Sequence, residues 1–452
     1  MLMSDFSLIF FILCYNTERG GIMNSVYKCL DFINESSSMF HVVENVKNKC
    51  FNFIELNEGS KWNLEKGKSY VVSRNGSSVI AFTIGKYMDD LAFNIAASHT
   101  DSPTFKLKAN GEIEANRALK GNVEAYGGMI VNTWLDRPLR VAGRVCIRNN
   151  GRIESVLYDS KEAICSIPNV AIHMNRNLNS GYTYNLQTDM MPLFSATEKK
   201  GALVKRICAD LNIDVEDYIS SDLYLVVDGK GSVWGLNKEF FSSPKIDNLE
   251  SVYCTLEAFL SSTNEHRVNI YAAFDNEEVG SNTKQGADST FLNDVMRRIQ
   301  EGLGYSYEDY LISLAHSMML SVDNAHAAHY NHPEFFDATN SVHMNQGVVI
   351  KSNANQQYTS DAVSVALFTE MCKANDVPYQ FFVNKSDIRG GSTLGNISTS
   401  HVAIKSIDIG CAQLAMHSSV ECAGVEDVDH MIHACKAFYD SNIFEDGNKW
   451  EI

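Results

Sequence analysis

The chain has 452 residues, enough for two domains or for one large domain carrying an insertion, and its 45% apolar and 21% charged content is that of an ordinary globular protein. A formal net charge of -17 excludes a binder of the phosphate backbone, which needs a basic stripe. The 11 cysteines are odd in number and contain no C-x-x-C pair, so neither a disulfide framework nor a structural zinc knuckle is expected; they read as reduced, in a cytoplasmic protein.

In chain order, FSLIFFILCY (Phe6 to Tyr15) is an apolar run of about signal-peptide core length, but no Lys or Arg precedes it and no small-residue cleavage site follows. It is too short to cross a bilayer, so no membrane association is expected. Met23 opens an amphipathic stretch, MNSVYKCLDFINES, and residues 1–22 are expected to be a non-native or mis-assigned extension. LAFNIAASHTD is the first of four β-rich apolar runs that stop abruptly at ionisable residues. The interval 104–242 differs: it holds short strand-like pieces, RVAGRVCIR and DLYLVV, and an irregular polar section, NRNLNSGYTYNLQTD. It reads as an inserted β-rich domain, with residues 23–103 and 243–452 forming the other domain. NLESVYCTLEAFLSS then places Leu249, Val252, Leu256, Phe259 and Leu260 on one helical face, and RVNIYAAFDNEEVGS, SMMLSVDNAH and SIDIGCAQLAMHSSVE are the remaining acid-tipped runs. SDAVSVALFTEMCKAN reads as a helix with a Ser360/Asp361 cap. Strands alternating with helices imply an α/β fold, with a mixed, largely parallel sheet flanked by helices, and ligands beyond the strands' carboxyl ends.

The strand-end groups are His99 and Asp101, Glu277 and Glu278, Asp323 and His417, with Asp247 where a helix begins. Taken singly, each has an ordinary explanation as a surface pair, a turn former or a helix cap. Together, two imidazoles and three carboxylates could hold a pair of divalent metals, leaving two acids for other work. Alternate residues of an extended segment point the same way, so Asp101 can orient the ring of His99. Of the adjacent glutamates, one can bind metal and the other can serve as general base. His326, His329 and His332 look like a zinc site, yet on a helix they spread over about a third of the circumference, and Pro333 disfavours helix at His332. Asp323 is the better ligand, and His326 is placed to reach substrate.

HTDSP, KIDNL, FDNEEVGS, SVDNAHAAH, NANQQYTSDA, GGSTLGN and QLAMHSSVE occur in that order. In these motifs, from about Met23 to the C-terminus, the chain resembles the aspartyl aminopeptidase and aminopeptidase I family of dinuclear zinc exopeptidases. The resemblance implies that Asp247 bridges two zinc ions (manganese or cobalt being possible substitutes), with His99 and Asp323 on one and Glu278 and His417 on the other. It implies Glu277 as general base toward a bridging water and Asp101 as the orienting acid. It makes Lys351 and Tyr358 substrate contacts, and His173, in IPNVAIHMNRN, a residue reaching into a neighbouring subunit's site. It further implies a catalytic domain interrupted by a dimerisation domain, a homo-oligomer (a dodecamer built from dimers), and peptide substrates with a free N-terminus. Gln357 stands where the family often has Arg, which leaves the side-chain preference open between acidic and neutral. A deacylase or carboxypeptidase-like dinuclear hydrolase, or a silent scaffold on the same fold, are the alternatives.

Overall fold

The computed structural model describes residues 21–388 and 390–452. Most of the segment read as an N-terminal extension therefore lies outside the described residues; residues 21 and 22 already belong to helix, which continues to residue 35.

A nine-stranded mixed sheet forms the centre. Its middle four strands, Val268–Phe274, Phe93–His99, Met318–Val322 and Lys405–Gly410, lie side by side and all parallel. Three of the eight pairings in the sheet are antiparallel, toward its two edges. Every residue of the first three of these strands is buried, which is why their sequences read as largely apolar runs, with only a few buried polar residues such as Asn94 and Asn269, rather than as alternations. Register puts His99 opposite Phe274, so the HTD and DNEE segments leave the sheet at one level. The next strand reaches Val322 opposite Ile409 just before Asp323. The expected edge of ionisable residues is thus the carboxyl edge of the first three strands, whereas the fourth ends at Gly410 and His417 follows in a loop between two strands of another sheet.

Helices cover both faces. Ile246–Ser261 packs between the sheet and helix Val425–Asp440, and its burial extends to Tyr253 and Cys254 as well as the expected apolar stripe. Leu260, placed on that stripe from periodicity, is instead 37% exposed, although Ala258 and Phe259 in the same turn are buried. Phe291–Gly302 and Tyr307–Ala315 cover the opposite face. Helix Ala362–Ala374 starts at Asp361, whose carboxylate accepts from the N–H groups of Val363 and Ser364. Ser360 does not share in that cap; its hydroxyl accepts from the Asp408 N–H instead.

Between Thr104 and Val227 lies a separate six-stranded antiparallel sheet with its own core, including Phe105, Trp134, Val141 and Leu225. The following strands, Ser232–Trp234 and Phe240–Ser243, join a third sheet through Glu421–Gly424. The ten described cysteines are all free. No helix among the described residues is long and apolar enough to cross a membrane.

Candidate metal centre and active site

Four strand-end or loop segments and one helix start deliver the site. His99 and Asp101 end the Phe93–His99 strand, each 1% exposed. After Val268–Phe274 the chain turns at Asn276 (φ 67°) into the single-turn helix Glu277–Val279. Asp323 follows its strand, and His417 (φ 67°) lies in the loop before Glu421–Gly424. Asp247 makes no capping bond at the start of its helix: its backbone is non-helical there, and its carboxylate is turned into the site.

The donors converge. His99 Nε2 is 3.4 Å from Asp247 Oδ1 and 3.6 Å from Asp323 Oδ1. His417 Nε2 is 3.4 Å from Asp247 Oδ2 and 3.5 Å from Glu278 Oε2. Ligands at about 2.1 Å from one ion and at tetrahedral angles stand about 3.4 Å apart, so these are ligand separations rather than close hydrogen bonds. Asp247 offers one oxygen to each group. Glu277 joins His99 and Glu278 within a looser ligand group.

The imidazole partners sharpen the test. His417 Nδ1 lies 2.5 Å from the Gly128 carbonyl, and His99 Nδ1 lies 3.1 Å from the Asp101 carbonyl. A carbonyl only accepts, so each ring carries its proton on Nδ1 and aims the Nε2 lone pair at carboxylates. That juxtaposition is repulsive unless a cation lies between them or the ring takes a second proton. Accordingly, burial lowers the affinity of both rings for that proton, but the carboxylates outweigh it, raising His99 and bringing His417 up to about 8. Burial pushes the Glu277 carboxyl up to about 8; the charges of Asp323, Asp101 and Asp247 act the same way, while His99 pulls it down. Asp247 Oδ1 and Glu278 Oε1 are buried with no hydrogen-bond donor. Buried carboxylates that keep one oxygen without a donor and turn an oxygen toward an imidazole nitrogen are what divalent cations satisfy, so the residues present fit a metal.

The carboxylate of Asp101 is 3.5 Å from His99 Nδ1, while its two oxygens accept the Glu277 and Glu278 N–H groups, each at 3.2 Å. It therefore holds the glutamate turn as well as facing the ring. Lys351 is 2% exposed: its ammonium donates to the carbonyls of Asp323 (2.7 Å) and Asn324 (3.2 Å) and lies 5.2 Å from the Tyr358 ring centre. Both residues are buried behind Asp323. His326 is exposed on the wall of an open cleft shared with Phe382, Leu414 and Met416. His173 is exposed in an irregular segment of the antiparallel-sheet region, and none of its described contacts reaches the metal donors of its own chain.

His329 and His332 stay outside the centre, His332 paired with Glu334 at 3.0 Å. No ligand group of three among the described residues includes any of the three closely spaced histidines. His332→Ala is therefore expected to leave metal content and turnover within about twofold of wild type, as is usual for surface substitutions; loss of a metal by elemental analysis would restore the three-histidine site.

One group escaped the sequence reading. Glu421, 2% exposed, accepts the N–H of Asp247 at 3.0 Å and the N–H of His417 at 2.7 Å, tying both residues to one carboxylate. Its position at the end of QLAMHSSVE was visible, but nothing there distinguishes it from a carboxylate at a strand start.

An α/β sheet whose carboxyl edge gathers imidazoles and carboxylates at ligand separations defines a metallohydrolase. Residues 32–439 match the family model described as aminopeptidase I zinc metalloprotease (M18). A probable M18 family aminopeptidase 2 of Clostridium acetobutylicum is 45% identical over 422 residues, covering 91% of this chain and 98% of that one. The Ape4 of an Ape4–Nbr1 complex superposes with a TM-score of 0.89 at 34% identity, covering 93% and 86% of the two chains. The mApe1 dodecamer of S. cerevisiae gives 0.80 at 26% identity, covering 91% and 95%. The chain belongs to the M18 aminopeptidase family of zinc metalloproteases.

Proposed function

We propose that the protein removes the N-terminal residue of peptides at a pair of zinc ions, with Glu277 as general base. His99 and Asp323 would hold one ion, Glu278 and His417 the other, and Asp247 both; manganese or cobalt suit the same donors. The observation that carries this reading is the two-sided Asp247 carboxylate, with an imidazole Nε2 3.4 Å from each oxygen. Bound cations supply Lewis acidity toward water and toward a peptide carbonyl. Glu277, held in place through Asp101, takes a proton from the attacking water and delivers one to the leaving amine. The remaining carboxylate charge attracts a protonated α-amine, which favours substrates with a free N-terminus.

His326 would meet substrate from the cleft wall, and Lys351 and Tyr358 would act from behind Asp323, whose carbonyl the Lys351 ammonium holds. With the Lys351 ammonium engaged by two carbonyls and a neutral Gln357 in the same stretch, a neutral N-terminal residue is favoured over an acidic one. Residues 104–242 serve as the dimerisation insertion, and His173 reaches a neighbouring subunit's site to stabilise the oxyanion. Likeness to a dodecameric relative supports a homo-oligomer of that size built from dimers, as do the exposed Val170, Ile172 and Met174 beside His173. The unpaired cysteines suit the cytoplasm.

The test is a panel of aminoacyl p-nitroanilides with acidic, neutral and basic residues, assayed after chelation and again after metal add-back. Chelation is expected to abolish release and zinc to restore it, fastest on neutral residues, with N-acetylated substrates inert. Cleavage of the acetylated series would instead indicate a deacylase, and no release under any condition a silent scaffold.

A further inference from the structure

The turn Tyr126–Gly127–Gly128, at the end of strand Ala118–Tyr126 of the antiparallel sheet, touches the metal centre with each of its three residues. Tyr126, 8% exposed, donates its hydroxyl hydrogen to Asp101 Oδ2 at 2.7 Å and accepts from Asn276 Nδ2 at 2.9 Å. Gly127 lies against Glu278: with φ at +75°, a Cβ there would stand 3.0 Å from the Glu278 Cβ and 3.4 Å from its Oε2. Gly128 presents its carbonyl to His417 Nδ1 at 2.5 Å.

We infer that this turn is a positioning element of the catalytic centre: Tyr126 sets the Glu277–Glu278 turn through Asp101, and Gly128 fixes the ring of His417. The inference rests on the reading of Glu277 as base and His417 as ligand. Its force comes from the bond lengths around Asp101. The two amide N–H groups that carry the glutamates approach the carboxylate at 3.2 Å, whereas the phenol approaches at 2.7 Å. An O–H to carboxylate bond of that length is the strong, directional member of the set. Without it the carboxylate can rotate away from both amides, and the turn loses its anchor. The same hydroxyl also holds Asn276, the residue with positive φ that directs the chain into that turn. Gly128 acts on the other side of the centre, since its carbonyl dictates which nitrogen of His417 is free to face Asp247 and Glu278. The insertion is thus a working part of the active site, in addition to any role in assembly. A chain keeping every metal ligand and the base, but with this turn displaced, is expected to turn over poorly.

Tyr126→Phe in the full, zinc-loaded chain tests this. The ring packs edge-on against Tyr224, with centroids 5.6 Å apart, and phenylalanine keeps that contact. The expected result on the best p-nitroanilide is a kcat lower by about 10- to 100-fold, with KM within about twofold and with zinc content and Tm as in wild type. An unchanged kcat overturns the inference, and so does a loss of activity that merely follows a fall in Tm or oligomer content. Gly127→Ala is the second variant: its methyl group must displace Glu278, so zinc content and kcat are expected to fall together, and wild-type values of both would also overturn the inference. Wild type is measured in the same series. Absence of metal-dependent release there sinks the aminopeptidase reading itself, whereas an active wild type with equally active variants sinks only the role of the turn.

Discussion

Asp247→Ala is expected to abolish metal-dependent turnover and to lower the metal content of the purified protein. Its two oxygens each stand 3.4 Å from a different imidazole, so on the proposed two-ion reading one substitution takes a donor from both ions. What remains on each side is one imidazole and one close carboxylate, Asp323 or Glu278. Loss of a direct ligand shared by two sites exceeds the roughly 10- to 100-fold cost of losing an outer partner. The fold should survive, because the only hydrogen bond that residue 247 donates to Glu421 comes from its backbone N–H, which alanine retains. Elemental analysis beside kcat gives the answer: a variant that keeps two tightly held metals would refute a bridging role.

Glu277→Gln is expected to separate chemistry from metal binding. Glu277 belongs to the looser ligand group, while Glu278 makes the 3.5 Å approach to His417 Nε2. Glutamine keeps the shape and the backbone bond to Asp101 but cannot take a proton from water. A general base contributes roughly 10²- to 10⁴-fold, and kcat should fall by that amount with both metals retained. Full activity would remove Glu277 from the base role. Loss of one metal would instead make it a ligand.

These two residues are neighbours in space, yet they come from segments read separately along the chain, and that contrast marks how much was legible. His99, Asp101, Glu277, Glu278 and Asp323 were identifiable because ionisable side chains are rare within a buried parallel strand, Asp408 inside Lys405–Gly410 being the exception here. Such residues accumulate at its carboxyl end, and the change from apolar run to acid marks the place. Asp247 and His417 carried weaker signals, a helix start and a lone histidine, and gained meaning only from the company of the others. Leu260 shows the limit of periodicity, which gives a helical face but not which of its positions a neighbour covers.

Apart from Asp101, the groups that orient the ligands were not legible. Glu421 binds the Asp247 N–H across 174 residues, and Gly128 meets His417 across 289. A carboxylate or a carbonyl has no periodicity that names a partner so distant, and backbone groups leave no mark in the sequence at all. The paths of Ser232–Trp234 and Phe240–Ser243 were equally hidden, since their pairing with Glu421–Gly424 depends on where two distant loops come to rest.

The sequence alone therefore determined the parallel α/β core, its acid-tipped edge and the types of donor gathered there, because burial and strand period are local consequences of residue type. Only the tertiary structure decided that Asp247 faces two imidazoles, that Asp101 holds the glutamate turn, and that the Tyr126–Gly128 turn of the antiparallel-sheet region reaches the centre. Each of those depends on distances set by packing between segments more than 20 residues apart in the chain.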